Sequence, residues 1–247
     1  MLDTTYTLER TARPAAPRGV ARLLSPGPGF SLHSVESDLR PLVESYIHDQ
    51  FQRIHGARVR DFMPFLLTMD CNENLSAAAG IRPAAGQSLF LERYLQEGVE
   101  SAIGRLFSGS VARRDIAEIG NLVATQRGSS QLLFLILTAV MHRSNFEWLV
   151  FTATPQVQKT INRLGFRLHV LGEASPSALD EASLKDWGSY YDCRPQVVAG
   201  NIPESVTLME NRRIFSGLLS HYEGAVSSLA TAIRQNDSHH ARQSFAA

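Results

Sequence analysis

The sequence predicts an α/β domain with a mixed, twisted sheet flanked by helices, a disordered N-terminal leader and a helical C-terminal extension. Three observations predict this. From Ile116 to Leu171 the segments alternate strand, helix, strand, helix, strand, the order of a parallel unit with at least one right-handed crossover. Ahead of it, Phe62–Met69 and Ala77–Ile81 flank the turn formers Asp70, Asn72 and Asn74, a hairpin that makes the sheet mixed. The chain has 247 residues, 44% apolar and 19% charged, which suits one domain with additions and a sizeable core.

The elements follow in order. Residues 1–35 read as a flexible leader, because Pro14, Pro17, Pro26 and Pro28 break any regular element. Leu2 to Leu24 never supplies the uninterrupted apolar run of a signal peptide, so a cytoplasmic location is expected. In Ser37–His55, Leu39, Leu42, Val43, Tyr46, Ile47 and Phe51 recur at helical spacing, with Gly56 as the stop. Pro64 marks a strand start or an edge. Leu89–Phe107 again has helical periodicity, interrupted at Gly98. Ile116–Thr125 is a strand, followed by the polar loop Gln126-Arg127-Gly128. Ser129 and Ser130 then offer N-cap hydroxyls to a helix reaching Ser144. That helix is apolar nearly all round, so it should be buried on most sides. Phe146–Ala153 is a continuous apolar strand, as expected at a central position. Thr154-Pro155 opens a helix that stops at Gly165, and Phe166–Leu171 and Val197–Val198 supply further strands. Residues 36–203 thus form the domain. Residues 204–247 form an extension, with one or two amphipathic helices over Ser205–Ile233 and a disordered tail around His239 and His240.

Several classes of function are disfavoured. The 24 basic and 24 acidic residues cancel, so no overall field draws the chain to nucleic acid. Cys71 and Cys193 have no metal or disulfide spacing, and His48 and His55 lack metal-ligand spacing, so no metal is expected. The longest apolar run, Leu132–Leu137, is far short of the ~20 residues of a transmembrane segment.

Two places can carry chemistry. The loop Gln126, Arg127, Gly128, Ser129 and Ser130 joins a strand to a helix N-terminus, where free N–H groups favour a phosphate. Glu118 is a carboxylate inside an otherwise apolar strand, a costly residue to bury. It is either ion-paired, to Arg82, Arg113 or Arg114, or a general base whose pKa burial raises. In a regular strand Asn121 points to the opposite face from Glu118, unless a bulge near Gly120 brings it round. Arg82 can contact a carboxylate or phosphate or pair with a surface acid, with Glu92 as a possible partner. Trp187, Tyr190 and Tyr191 can line a substrate pocket or pack in the core. Thr152 and Thr154 can hydrogen-bond a thioester or pack across strands. Cys71 has no His nearby in sequence to activate it.

Several motifs carry a resemblance. The run E-I-G-N-L, polar loop, apolar helix, F-E-W-L-V-F-T-A and a helix ending in R-L-G-F resembles the acyl-homoserine-lactone synthases, which are N-acetyltransferase-like (GNAT) acyltransferases. Glu118 matches the acid of their E-x-S-R hallmark, whereas Gly120 and Asn121 replace the Ser and Arg. Q-R-G-S-S at 126–130 loosely resembles the loop with which N-acetyltransferases hold a pantetheine pyrophosphate. Further pieces, G-I-R-P-A (80–84), L-F-L-E-R-Y-L (89–95), A-E-I-G-N-L-V-A (117–124), F-T-A-T (151–154), W-G-S-Y-Y (187–191) and P-Q-V-V-A-G (195–200), are similar to the thermostable hemolysin family of proteobacteria.

The resemblance implies an acyltransferase using an acyl-phosphopantetheine thioester as co-substrate, on acyl carrier protein or coenzyme A, with no permanently bound cofactor. The acceptor would be a small amine or amino-acid-like molecule. Glu118 would be the base, with Asn121 beside it. The backbone N–H groups of Leu122, Val123 and Ala124 would form the oxyanion site, and a splay between strands 116–125 and 146–153 would admit the pantetheine arm. Two other readings are compatible with the sequence: a haemolytic or membrane-perturbing protein, and a non-catalytic acyl-ligand-binding protein of the same fold.

Overall fold

The computed structural model describes residues 27–244, with side chains as far as Gln235. The leader expectation for residues 1–26 lies outside the described residues, whereas the backbone around His239 and His240, expected as a disordered tail, is helical as far as Ser244. Strand β1, Gly29–His33, starts directly after Pro28 and pairs antiparallel with β2, Phe65–Cys71. Regular structure therefore begins within the stretch read as leader. Helix α1, Arg40–His55, lies between them and ends at Gly56 in the left-handed region, as its spacing predicts.

Pro64 stands just ahead of β2, where its missing N–H costs no ladder bond. Asn72 and Glu73, with φ of 51° and 65°, form the tight turn into β3, Asn74–Pro83. Two successive positive φ values match the right-handed twist of a hairpin. The rest of the sheet is β4 (Ile116–Ala124), β5 (Trp148–Ala153), β6 (Leu168–Glu173) and β7 (Gln196–Asn201). Strand order is β1-β2-β3-β4-β5-β7-β6, and β4–β5 is the parallel pair. Between those two strands runs α3, Ser129–Arg143, the expected crossover helix.

The stretch Leu89–Phe107 is not one helix. A 3₁₀ turn covers Phe90–Tyr94, and α2 covers Val99–Phe107. The cause is the Glu92 carboxylate, which accepts the N–H groups of both Leu89 (2.7 Å) and Val99 (3.1 Å) and so closes the first segment before the second begins. Ser129 and Ser130 also do not cap α3. The N-cap is Gly128, no side chain caps the helix, and the Ser130 hydroxyl donates to Gln131 Oε1. Helix α4, Pro155–Leu164, is capped as its sequence predicts, with Thr154 Oγ1 accepting the Val157 N–H. Thr154→Ala should therefore cost about 1 kcal/mol, read as a lower urea midpoint with an unchanged m-value. Helix α5, Glu181–Asp186, starts from an Asp180 cap. The extension holds three helices rather than one or two: α6 (Ile202–Asn211), α7 (Arg213–His221) and α8 (Glu223–Ser244).

The period of two along each strand sorts the core. One sheet face, with Leu67, Ala79, Ile81, Ala117, Ile119, Leu149 and Phe151, packs on α3 and, beyond it, on Val206, Met209, Leu218, Val226, Leu229 and Ile233 of the last three helices. The apolar circumference of α3 is thereby covered. The opposite face is shared by two clusters. Val43, Ile47 and Phe51 of α1 cover Leu66, Ala78 and Val123. Leu91 of the 3₁₀ turn and Val99 and Ile103 of α2 cover Ile116, Trp148, Val150 and Val197. Glu118 rises on this second face, between the two covers.

Candidate active site

Strands β4 and β5 stay in parallel register only from Ile116↔Trp148 to Ile119↔Phe151. Past that point they diverge, as expected from the sequence. The cause sits on the other edge of β4. Ala78 pairs with Val123 and Gly80 with Gly120, so Asn121 and Leu122 together oppose Ala79 alone. This is a bulge, and it bends β4 away from β5.

Asn121 makes the bulge possible. Its φ of 48° is left-handed, a conformation asparagine tolerates better than most residues. Its Oδ1 accepts the Met63 N–H (2.9 Å) and its Nδ2 donates to the Asp61 carbonyl (3.2 Å). Gly120 serves the same segment. A Cβ there would lie 2.5 Å from Met63 Cε, and one on its cross-strand partner Gly80 would lie 2.7 Å from Met63 Cβ. Gly120 and Asn121 thus seat and tie the 61–63 segment against the strand. Arg40 holds the same segment from behind, donating to the Met63 and Pro64 carbonyls (2.8 and 2.9 Å). Asn121→Ala should cost about 1–3 kcal/mol, from the lost hydrogen bonds and the unfavourable φ. Denaturant melts that leave stability unchanged would remove this role.

Glu118 is 2% exposed. Its Oε1 accepts the Leu91 N–H (2.9 Å), and its Oε2 accepts the Phe90 N–H (3.0 Å) and Arg82 Nη1 (3.4 Å). A carboxylate has about four acceptor directions, so one remains for a further proton. Burial raises its pKa, while the two N–H groups and the Arg82 charge act in the opposite direction. Of the three arginines that the sequence offered as partners, Arg82 is the one used. Arg113 instead forks onto Glu92 (2.6 and 2.7 Å), and Arg114 lies beside Asp115. The expected Arg82–Glu92 pairing is therefore not formed. Glu92 faces Arg113 and its own backbone, and it does not line the cavity.

That cavity has a volume of about 1000 Å³ and opens where β4 and β5 part. Of the residues singled out by sequence, Arg82, Glu118, Asn121, Leu122, Val123, Ala124, Ser130, Thr152, Thr154, Trp187, Tyr190 and Tyr191 line it. Gln126, Arg127 and Gly128 are exposed outside it, and Ser129 is buried in the helix N-terminus. The Thr154 hydroxyl is already engaged as the α4 cap, and the Thr152 carbonyl accepts the Tyr190 hydroxyl at 3.4 Å. Cys71 lies elsewhere, with its sulfur 3.7 Å from the Ser76 hydroxyl.

The sequence reading missed several lining residues. His55 ends α1, and its burial lowers the imidazole pKa. The Tyr94 hydroxyl meets that of Tyr191 at 2.5 Å, and burial raises the pKa of both phenols. Arg93 lies over the Phe90 ring at 3.8 Å. Cys193 donates to the Tyr190 carbonyl, and burial pushes its thiol pKa up. Tyr94 stood inside the quoted L-F-L-E-R-Y-L stretch, the one signal that could have found it.

A roof covers this cavity. The segment after α5 crosses the end of α1, where the Arg58 N–H donates to the Asp186 carbonyl (2.6 Å) and the Ser189 N–H to the His55 carbonyl (2.8 Å). Trp187 packs edge-on against Phe51 and tilted against Phe90, so it bridges the two covers of the sheet face.

Comparisons with known proteins bear on the fold and the family. The fold is similar to that of FeeM, an N-acyl amino acid synthase from uncultured soil microbes (15% identity, 74% of this chain and 96% of that one, TM-score 0.51). It is also similar to BjaI, a coenzyme A-dependent acyl-homoserine lactone synthase (13% identity, 80% and 89%, TM-score 0.50), and to TofI in an apo form (11% identity, 76% and 99%, TM-score 0.50). At these identities the likeness is one of fold. No curated protein sequence matches the chain. Among the described residues no helix is long and apolar enough to cross a membrane. Residues 33–206, well over half of the sequence, match the family model described as thermostable hemolysin, and the chain belongs to the thermostable hemolysin family.

Proposed function

We propose that this protein transfers an acyl group from a pantetheine thioester, carried by acyl carrier protein or coenzyme A, to the amine of a small amino-acid-like acceptor in the cytoplasm. The observation that carries the reading is a buried carboxylate with one free acceptor direction, set in the wall of a cavity beside two diverging strands. The acyl-pantetheine arm would lie in the gap between β4 and β5, its thioester near the Leu122–Ala124 backbone. Those N–H groups would stabilise the oxyanion that forms as the amine attacks the thioester carbon. Glu118 takes the amine proton, directly or through a water, as the C–N bond forms. The C–S bond then breaks, and the thiolate leaves as the thiol once protonated. No covalent enzyme intermediate is required. The Arg82 guanidinium beside Glu118 suits the carboxylate of an amino-acid-like acceptor, with bidentate geometry available to its remaining N–H groups. The exposed loop 126–128 and the α3 N-terminus would meet the donor's phosphate outside the cavity.

The test is intact-mass analysis after incubating the protein with a panel of acyl thioesters and amino acids. A product heavier than the acceptor by one acyl group less one hydrogen is expected. Saturable donor binding without any such product across the panel would replace this reading with a non-catalytic acyl-binding role.

A further inference from the structure

Glu92 and Arg113 lie outside the cavity, yet both are held more tightly than a surface pair requires. Glu92 takes the fork of Arg113 on its two oxygens while accepting the Leu89 and Val99 N–H groups. Arg113 also donates to the Ala84 carbonyl (2.9 Å), the Gln87 carbonyl (2.7 Å) and Glu100 (2.7 Å). Every one of these bonds ends on the segment from Ala84 to Glu100. Within that segment, between Leu89 and Glu92, stand the two N–H groups that reach Glu118. Two consecutive amides converge on one carboxylate only while the 3₁₀ turn keeps its place relative to β4.

We propose that Glu92 and Arg113 are positioning residues that lock the Phe90–Tyr94 turn so that its first two N–H groups stay aimed at Glu118. The catalytic meaning of this rests on Glu118 being the base, whereas the positioning itself does not. The Arg113 guanidinium holds the Glu92 carboxyl down to about 2, so the pair stays charged throughout the pH range in which Glu118 titrates. The groups facing Glu118 are Arg82 from β3 and Glu92 and Tyr94 from the turn. His55 of α1, Arg93, Tyr190, Tyr191 and Cys193 line the same cavity. On β5 the residue paired with Glu118 is Val150, which carries no charge.

Glu92→Ala separates positioning from simple charge by sign. The negative charge of Glu92 raises the Glu118 pKa, so deleting that charge alone would lower the Glu118 midpoint. Loss of the two N–H donors raises it. The midpoint is read by carboxyl ¹³C NMR on glutamate-labelled protein, with the Glu118 signal assigned from its absence in Glu118→Gln. A rise of about one pH unit is expected. A midpoint that falls or stays put in folded Glu92→Ala overturns the proposal. Arg113→Lys keeps the charge but loses the fork, and a smaller rise is expected. If Glu92→Ala does not fold, an unchanged midpoint in Arg113→Lys is decisive against the proposal. A merely structural role would lower Tm in both variants without moving the midpoint. If the midpoint rises but the acid limb of kcat/KM does not follow, the positioning stands and Glu118 loses its assignment as base.

Discussion

Glu118→Gln should lower turnover by about 100-fold or more, the usual contribution of a positioned general base, while donor binding and the fold persist. Persistence of the fold follows from the sign of the pKa shift. Burial raises the Glu118 pKa above the ordinary 4.5. A carboxyl whose pKa is raised on folding contributes stability that is complete below the unfolded value and is lost as pH rises through the folded one. At neutral pH the ionised side chain is therefore a burden on the fold. A neutral amide of the same shape removes that charge but leaves one of the Phe90 and Leu91 N–H groups facing its NH2, so the two effects offset and the fold persists. The wild-type rate should in turn fall as pH drops through the raised pKa, so its acid limb lies above the range of an exposed glutamate. Steady-state assays across pH, paired with thermal melts, check both halves. Full activity in Glu118→Gln would end its assignment as the base.

The second large effect is expected at Gly188. Its φ is 53°, and a Cβ there would overlap the His55 carbonyl oxygen and come within about 3 Å of the Gly56 backbone. Backbone atoms cannot swing aside as a side-chain tip can. Gly188→Ala should therefore push the 186–191 segment off α1 and break the Arg58–Asp186 and Ser189–His55 backbone bonds. Strain of about 1–2 kcal/mol from the left-handed backbone adds to about 0.5–1.5 kcal/mol for each of the two bonds lost, roughly 2–5 kcal/mol in all. Trp187 would leave its place between Phe51 and Phe90. The readouts are a lower Tm, faster proteolysis near residue 188 and a raised KM for the acyl donor. An unchanged cleavage pattern and KM would show that this segment does not depend on the glycine.

Much of this was legible in the chain because local chemistry dictated it. The hairpin, the α3 crossover and the Thr154-Pro155 start each follow from a few adjacent residues. Glu118 stood out as a charge within an apolar strand, and the bulge near Gly120 was foreseeable from a glycine at that place. Long-range partners were not legible. Nothing near Glu118 in sequence announces that Phe90 and Leu91 hold it, since Leu91 and Glu118 are 27 positions apart. Glu92 was misread for the same reason. Helical spacing through Leu89–Phe107 hid a carboxylate that ends one segment and starts the next. The Ser129–Ser130 cap failed because Gly128, already left-handed, occupies the N-cap position. His55 and Tyr94 went unseen because each looks like an ordinary helix residue until the roof segment folds over it.

The three last helices share a single core with the sheet, and this governs when the protein can finish folding. Leu133, Leu137 and Met141 of α3 belong to the same cluster as Val206, Met209, Val226 and Ile233, residues made only after the last strand. On the ribosome, the crossover helix must wait with part of its apolar surface wet after every strand has emerged. That interval is when aggregation or chaperone capture competes with folding. It also means that cutting the chain after residue 203 would strip cover from the core, so a truncated protein would report unfolding before it reported any role of the removed helices.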